Sequence, residues 1–229
     1  MNILAIGAHP DDIEIYMFGA LAAFKQNGAT LSFAIATDGS RGGKASPATL
    51  ARKRKAEATA AAAHLEVTPH FLGFPDGELT ADAKLIAALK TLIANTQPDL
   101  IVTHAPNDYH ADHRALSDAV RIASSFHAPV LWADTIMGVG FQPTHYIDTT
   151  AHTVLKAAAI REHASQDPER FITMAGQLAA FRAAQTNAAP GSAAEAYRFE
   201  PVYPFADIRD LLPPAPPVRP VGDRSRAKR

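Results

Sequence analysis

A chain of 229 residues with 47% apolar content can bury one full core, and 22 basic against 23 acidic residues leave a formal charge of only -1. That balance gives nucleic acid or an anionic membrane no electrostatic hold, so the partner it suits is a small molecule. There is no cysteine, which excludes disulfides and thiolate metal sites and leaves His, Asp and Glu as the only ligands for a transition metal.

The opening Met1-Asn2-Ile3 has no basic flank, the apolar run behind it is too short for a signal peptide, and no later stretch reaches membrane-spanning length. The cytoplasm is therefore the expected compartment. Residues 2–6 predict a fully buried strand that runs into the polar loop Ala8-His9-Pro10-Asp11-Asp12-Ile13-Glu14. Helical spacing at Ile15, Phe18, Leu21, Ala22 and Phe24 predicts one helix over residues 13–27, closed by Gly28. A second strand over 30–37 leads through a glycine-rich turn, residues 38–44, to an Ala-rich helix over 47–64. A short strand over 69–72, a helix over 80–96 and a buried strand over 99–103 continue the alternation. Residues 105–113 form a second polar loop, followed by a helix over 114–125 and a fifth strand over 129–134. Residues 138–148 read as irregular or extended, and 149–166 and 168–186 as two further helices.

This alternation predicts a single α/β domain over residues 1–212, a Rossmann-like, mostly parallel sheet with helices on both faces and right-handed crossovers. Residues 213–229 are rich in proline and then basic, and predict an extended tail, packed on a neighbour or disordered. Assembly into a homo-oligomer stays open, with that tail as a contact segment.

In the common doubly wound order, strands one and four are neighbours, and ligands bind between their C-terminal ends. Both polar loops follow those strands, so residues about a hundred positions apart are expected to face one another. A catalytic zinc needs three nitrogen or oxygen ligands and one open position, and His9, Asp12 and His113 can supply that set. Iron(II) accepts the same donors. Asp11, beside Asp12 but free to point elsewhere, is the candidate general base. His110 is placed to donate to a developing oxyanion or leaving amine, with Asp112 orienting it and keeping it positively charged.

The pair of stretches Ala8-His9-Pro10-Asp11-Asp12-Ile13-Glu14 and His110-Ala111-Asp112-His113 resembles the two signatures of the PIG-L/LmbE-like zinc-dependent de-N-acetylases. The resemblance extends through Arg54-Lys55-Ala56-Glu57, Ile147-Asp148-Thr149-Thr150, Lys156 and His163-Ala164-Ser165-Gln166. It implies zinc on His9, Asp12 and His113, Asp11 as base, His110 at the oxyanion and Arg54 reaching the substrate. The implied reaction is removal of an N-acetyl group from an amino sugar such as an N-acetylglucosamine derivative. The turn over 39–44 is longer and richer in glycine than the family pattern, and residues beyond Gln166 match none of its elements.

Each residue also has a structural reading. Asp11 or Asp12 can cap the following helix, and Glu14 can pair with a backbone amide or favour the helix dipole. His104 reads as a hydrogen-bonded, partly buried imidazole. Arg41 and Lys44 can hold an anionic group of the substrate or be exposed turn charges. Tyr109, Trp132 and His145 are candidates for lining a sugar-sized pocket, with Trp132 equally suited to the core. A dinucleotide enzyme would need Gly-x-Gly-x-x-Gly where this chain has Gly7-Ala8-His9-Pro10-Asp11-Asp12, and no P-loop is present. The alternatives that remain are a metal-dependent phosphoesterase and a non-catalytic carbohydrate-binding protein.

Overall fold

Strand β1 (Asn2–Gly7) is buried from Ile3 onward because helices cover both faces of the sheet. In the computed structural model, which describes residues 1–220, Ile3 and Ala5 enter one core layer and Leu4 and Ile6 the other. That split is the two-residue period of a strand. The polar loop then opens α1 (Asp12–Tyr16), which is followed by α2 (Phe18–Gln26). Next come β2 (Thr30–Thr37), α3 (Pro47–Ala63), β3 (His70–Phe74), α4 (Ala83–Thr96), β4 (Leu100–His104), α5 (Ala111–Ala123) and β5 (Val130–Ala133). The five strands are parallel. Phe18, Leu21 and Ala61 fill the layer over one face, and Leu85, Leu89, Leu116 and Val120 the layer over the other.

Beyond β5 the chain departs from the predicted pattern. β6 (His145–Asp148) lies within the stretch read as irregular or extended, and the sequence reading has no counterpart for β7 (Ala194–Phe199). β7 pairs antiparallel with both β5 and β6, giving the order β3-β2-β1-β4-β5-β7-β6. Between them, α6 (Thr153–Arg161) is shorter than the predicted helix over 149–166 and is flanked by 3-10 turns at Thr150–His152 and Ala164–Gln166. α7 (Pro168–Gln185) follows.

The single helix predicted over 13–27 is broken at Met17 (φ -140°, ψ 0°). The cause is remote in sequence. Glu195, buried on β7, accepts from the amides of Gly19 at 2.8 Å and Ala20 at 2.9 Å, satisfying donors at the start of α2 that a continuous helix would have used internally. Lys156 and the Tyr197 hydroxyl, each 2.7 Å away, complete the carboxylate's partners. A Cβ on Gly19 would come within 2.7 Å of Glu195, so only glycine admits this approach.

Residues 213–220 run against their own domain: Pro214 accepts from the Asp148 amide and Asn187 from the Arg219 amide. The basic end, residues 221–229, lies outside the described residues. Among the described residues, no helix is long and apolar enough to cross a membrane.

Candidate metal centre

The register of β1 on β4, Ile6 beside Thr103, brings the loop after β1 against the loop after β4. His9, Asp12 and His113 meet there. His9 Nδ1 is 3.3 Å from Asp12 Oδ2, His113 Nε2 is 3.3 Å from Asp12 Oδ1, and the two ring nitrogens are 3.3 Å apart. The two ring nitrogens are spaced as two corners of a tetrahedron lie when each is about 2.0 Å from its centre, the distance at which zinc holds imidazole nitrogen, and a different oxygen of Asp12 faces each ring.

The protons on the two rings are also arranged for a cation. His9 Nε2 faces Asp112 Oδ2 at 3.1 Å and Asp76 Oδ1 at 3.3 Å, while His113 Nδ1 lies 3.2 Å from Asp108 Oδ1. With protons held on those outer nitrogens, the facing nitrogens present lone pairs to each other and to a carboxylate, which repel unless positive charge lies between them. Without a cation the same demand is met by protons. Burial pulls both imidazoles down, but the Asp12 charge and the hydrogen bonds to Asp112, Asp12 and Asp76 push His9 up to about 12. Asp12 and Asp108 likewise push His113 up to about 9.

Three further combinations of neighbouring residues could group around an ion: His9, His110 and His113; Asp12, His104 and His113; or His9, Asp76 and Asp112. His104 is fully buried behind Asp12, its Nε2 3.0 Å from Asp12 Oδ2 and 3.2 Å from the Ala8 nitrogen, and its ring stacks on His113. Neither His104 nor Asp112 lines the cleft of about 350 Å³ that opens over the cluster, whereas His9, Asp12 and His113 all do. The cleft therefore opens on His9, Asp12 and His113 with His110 beside them, so an ion with an accessible coordination position could draw its ligands from these four.

Asp11 occupies the cleft beside them with φ 152°, a conformation costing a non-glycine residue about 1–3 kcal/mol. Burial raises its carboxyl to about 6, against the opposing pull of Arg54. Arg54, buried on α3, donates from Nη2 to Asp11 Oδ1 at 2.9 Å and to the Pro10 carbonyl at 3.0 Å, and from Nη1 to the Gly39 carbonyl at 3.2 Å. Its guanidinium edges the cleft, but its partners are the candidate base and that base's backbone. Gly39 (φ +64°) and Gly42 make room for it: a Cβ there would lie 2.9 Å and 2.5 Å from Nη1.

His110 caps α5, its Nδ1 accepting from the Asp112 amide at 3.2 Å. This corrects the expected pairing. The Asp112 carboxylate serves His9 and the amides of Gly77 and Leu79, not the His110 ring. Burial, with His9 and His113 nearby, lowers the His110 pKa, so Asp112 does not keep it charged. Its neutral tautomer carries the proton on Nε2, at the end of the ring away from the cap.

Glu14 pairs with a side chain, His163, at 3.1 Å rather than with a backbone amide. Glu57 accepts from the Ser165 amide at 3.0 Å and its hydroxyl at 2.6 Å, so the His163 to Gln166 segment is tied to α1 and α3. Of the proposed pocket aromatics, Tyr109 edges the cleft, Trp132 is buried with Ala105 and Phe141, and His145 lies on β6 near Phe199. Arg41 reaches the cleft and pairs with Glu78. Asp76 and Asp108 were missed. Their signals were a Pro-Asp-Gly turn after the third strand and an Asn-Asp turn inside the second polar loop.

The family model described as PIG-L: GlcNAc-PI de-N-acetylase matches residues 4–124, which include both loops and Arg54. The diacetylchitobiose deacetylase of Thermococcus kodakarensis is 30% identical over 189 residues, covering 73% of this chain and 71% of that protein. The chain belongs to the PIG-L family. In that family's fold, the N,N'-diacetylchitobiose deacetylase of Pyrococcus horikoshii superposes with a TM-score of 0.79 at 24% identity, covering 92% of this chain and 88% of its own. GalB, the 4-carboxy-2-hydroxymuconate hydratase of Pseudomonas putida KT2440, does so with a TM-score of 0.77 at 22% identity, covering 88% and 97%. These two likenesses establish the fold. The PIG-L match ends just after α5, so β5, β6, β7, α6 and α7 lie beyond it.

Proposed function

We propose that this PIG-L protein is a metal-dependent hydrolase that removes the N-acetyl group of an amino sugar, such as an N-acetylglucosamine derivative, releasing acetate and a free amine. The observation that carries the reading is the trio His9, Asp12 and His113, with edges of 3.3 Å, open to a cleft that also holds Asp11 and His110. A divalent cation held by that trio, zinc or iron(II), would polarise the amide carbonyl and acidify a water. Asp11 accepts the water's proton, and a carboxyl near 6 is suited to that task at neutral pH. Arg54 fixes the direction of its carboxylate. The neutral His110 donates a hydrogen bond from Nε2–H to the carbonyl oxygen as charge develops there, and the proton that Asp11 took from the water passes to the departing nitrogen as the C–N bond breaks. Asp112, Asp76 and Asp108 hold the two ligand rings in register.

The family and the T. kodakarensis relative favour amide hydrolysis over the hydration chemistry named for GalB on the same fold. Five carboxylates around the cluster, on Asp11, Asp12, Asp76, Asp108 and Asp112, disfavour a phosphate ester. The test is acetate release from N-acetylglucosamine and diacetylchitobiose by protein of measured metal content. The parent is expected to release acetate, and Asp11→Asn to keep the metal while losing about 10²–10⁴-fold in kcat. Native turnover by Asp11→Asn would remove Asp11 from the mechanism, and failure of the parent on every acetylated amino sugar would remove the activity.

A further inference from the structure

Most of the cleft wall is charged or polar; Ile15, Tyr16, Tyr109 and Phe171 supply its apolar surface. Tyr109 is 62% exposed at the rim, while Phe171 comes in from α7. Ile15 and Tyr16 stand on α1 four residues after Asp11 and Asp12, on the faces that carry the candidate base and the ligand. They also line a second, smaller cavity of about 30 Å³ under α7. Ile15 and Tyr16 are thus the partition between the reaction cleft and that cavity.

The chamber beyond the partition is suited to hydrocarbon. Ile136, Met137, Met174 and Leu178 give it apolar walls. Its charged residues are engaged with one another, Lys156 with Glu195 at 2.7 Å and Arg182 with Asp134 at 2.6 Å. About 30 Å³ holds a water or two, not a chain. Ile15 is part-buried, packs on the core and lines both the cleft that holds Asp11 and this cavity, so its side chain stands between the two spaces.

An amide carbonyl carries two substituents. The sugar is large and polar and needs the open side of the cleft. The acyl group is small and apolar and needs the inner wall beside the attacking water, where Ile15 and Tyr16 are the apolar surface next to Asp11. We propose that Ile15 sets the acyl-chain length this protein accepts: it admits acetyl, excludes chains of four carbons or more, and hides a latent acyl pocket beneath α7. This inference rests on the amide-hydrolase reading and extends it to the acyl side of the substrate.

The test is kcat/KM for N-acetyl-, N-propionyl- and N-butyrylglucosamine, with Ile15→Val and Ile15→Ala beside the parent. Metal content and thermal melting establish that each variant is folded and loaded. A hydrophobic site distinguishes one methylene by about 10–200-fold. The butyryl-to-acetyl ratio should therefore rise by at least about 10-fold in Ile15→Ala and by less in Ile15→Val. Adding Ala175→Leu, which fills the chamber from α7, should cancel the gain. Phe171→Ala, on another wall, should change KM for acetyl and butyryl substrates alike and leave the ratio where it was.

If Ile15→Val and Ile15→Ala hydrolyse acetyl substrate with an unchanged ratio, or if Phe171→Ala shifts the ratio more than they do, the chain-length role is overturned while the deacetylase reading stands. A parent that already prefers butyryl overturns it as well. If no N-acyl glucosamine is hydrolysed by any form, the deacetylase reading fails and the inference fails with it.

Discussion

Replacing Arg54 by Met would remove the cation beside the candidate base while keeping a side chain of similar reach. Arg54 Nη2 lies 2.9 Å from Asp11 Oδ1, and its charge is the largest influence opposing the burial that lifts Asp11 to about 6. At a charge separation of about 4 Å and an effective dielectric of about 20, the attraction is worth about 4 kcal/mol. That corresponds to about three pKa units at 1.4 kcal/mol each. Water entering the vacated space screens part of it, leaving an expected rise of about one to two units. The sign follows from the chemistry: Asp11 acts as the carboxylate, and losing a neighbouring cation favours its protonated form. The acid limb of kcat/KM should move upward by that amount, with the deficit large at pH 6 and shrinking toward pH 8.5. A bound dication lowers the Asp11 pKa in parent and variant alike, so the difference survives it. Arg54→Lys should recover part of the shift, and metal content should be unchanged in both variants. A limb displaced by less than about 0.3 unit would refute the claim that Arg54 acts through Asp11.

Loss of either ligand imidazole, in His9→Ala or His113→Ala, should lower bound metal from about one equivalent to a small fraction, measured by elemental analysis after desalting. Full occupancy in both variants would exclude the trio. Glu195→Gln should cost about 2–4 kcal/mol in urea unfolding, because it leaves Lys156, 13% exposed, without its counter-charge and weakens the cap on α2. A cost below about 1 kcal/mol would mean that the break at Met17 does not depend on that carboxylate.

The parallel half of the sheet was legible because β1 and β4 are buried on both faces and so read as unbroken apolar runs. The candidate metal trio was legible because its members lie in two short polar stretches that each follow such a run, His9 in the loop after β1, and Asp12 and His113 in the first turns of α1 and α5. β7 was not legible. Its Ala-Glu-Ala-Tyr-Arg-Phe has the alternation of a strand, but the glutamate at a buried position contradicts the usual pattern until Lys156, Gly19 and Ala20 are seen around it. The same carboxylate divides α1 from α2, so a break that the local 3.6-residue period does not announce is imposed from about 175 residues away.

The sequence by itself determined which groups could bind a cation, and the order of strands that makes their loops neighbours. It did so because ligand chemistry and buried-strand patterning are written in contiguous residues. Only the tertiary structure decided the direction of each proton and charge. The Asp112 carboxylate faces His9 instead of the His110 ring, Arg54 is spent on Asp11, and Asp76 and Asp108 support the ligand rings. Those assignments depend on distances of about 3 Å between residues tens of positions apart, a scale fixed by packing and not by neighbours in the chain.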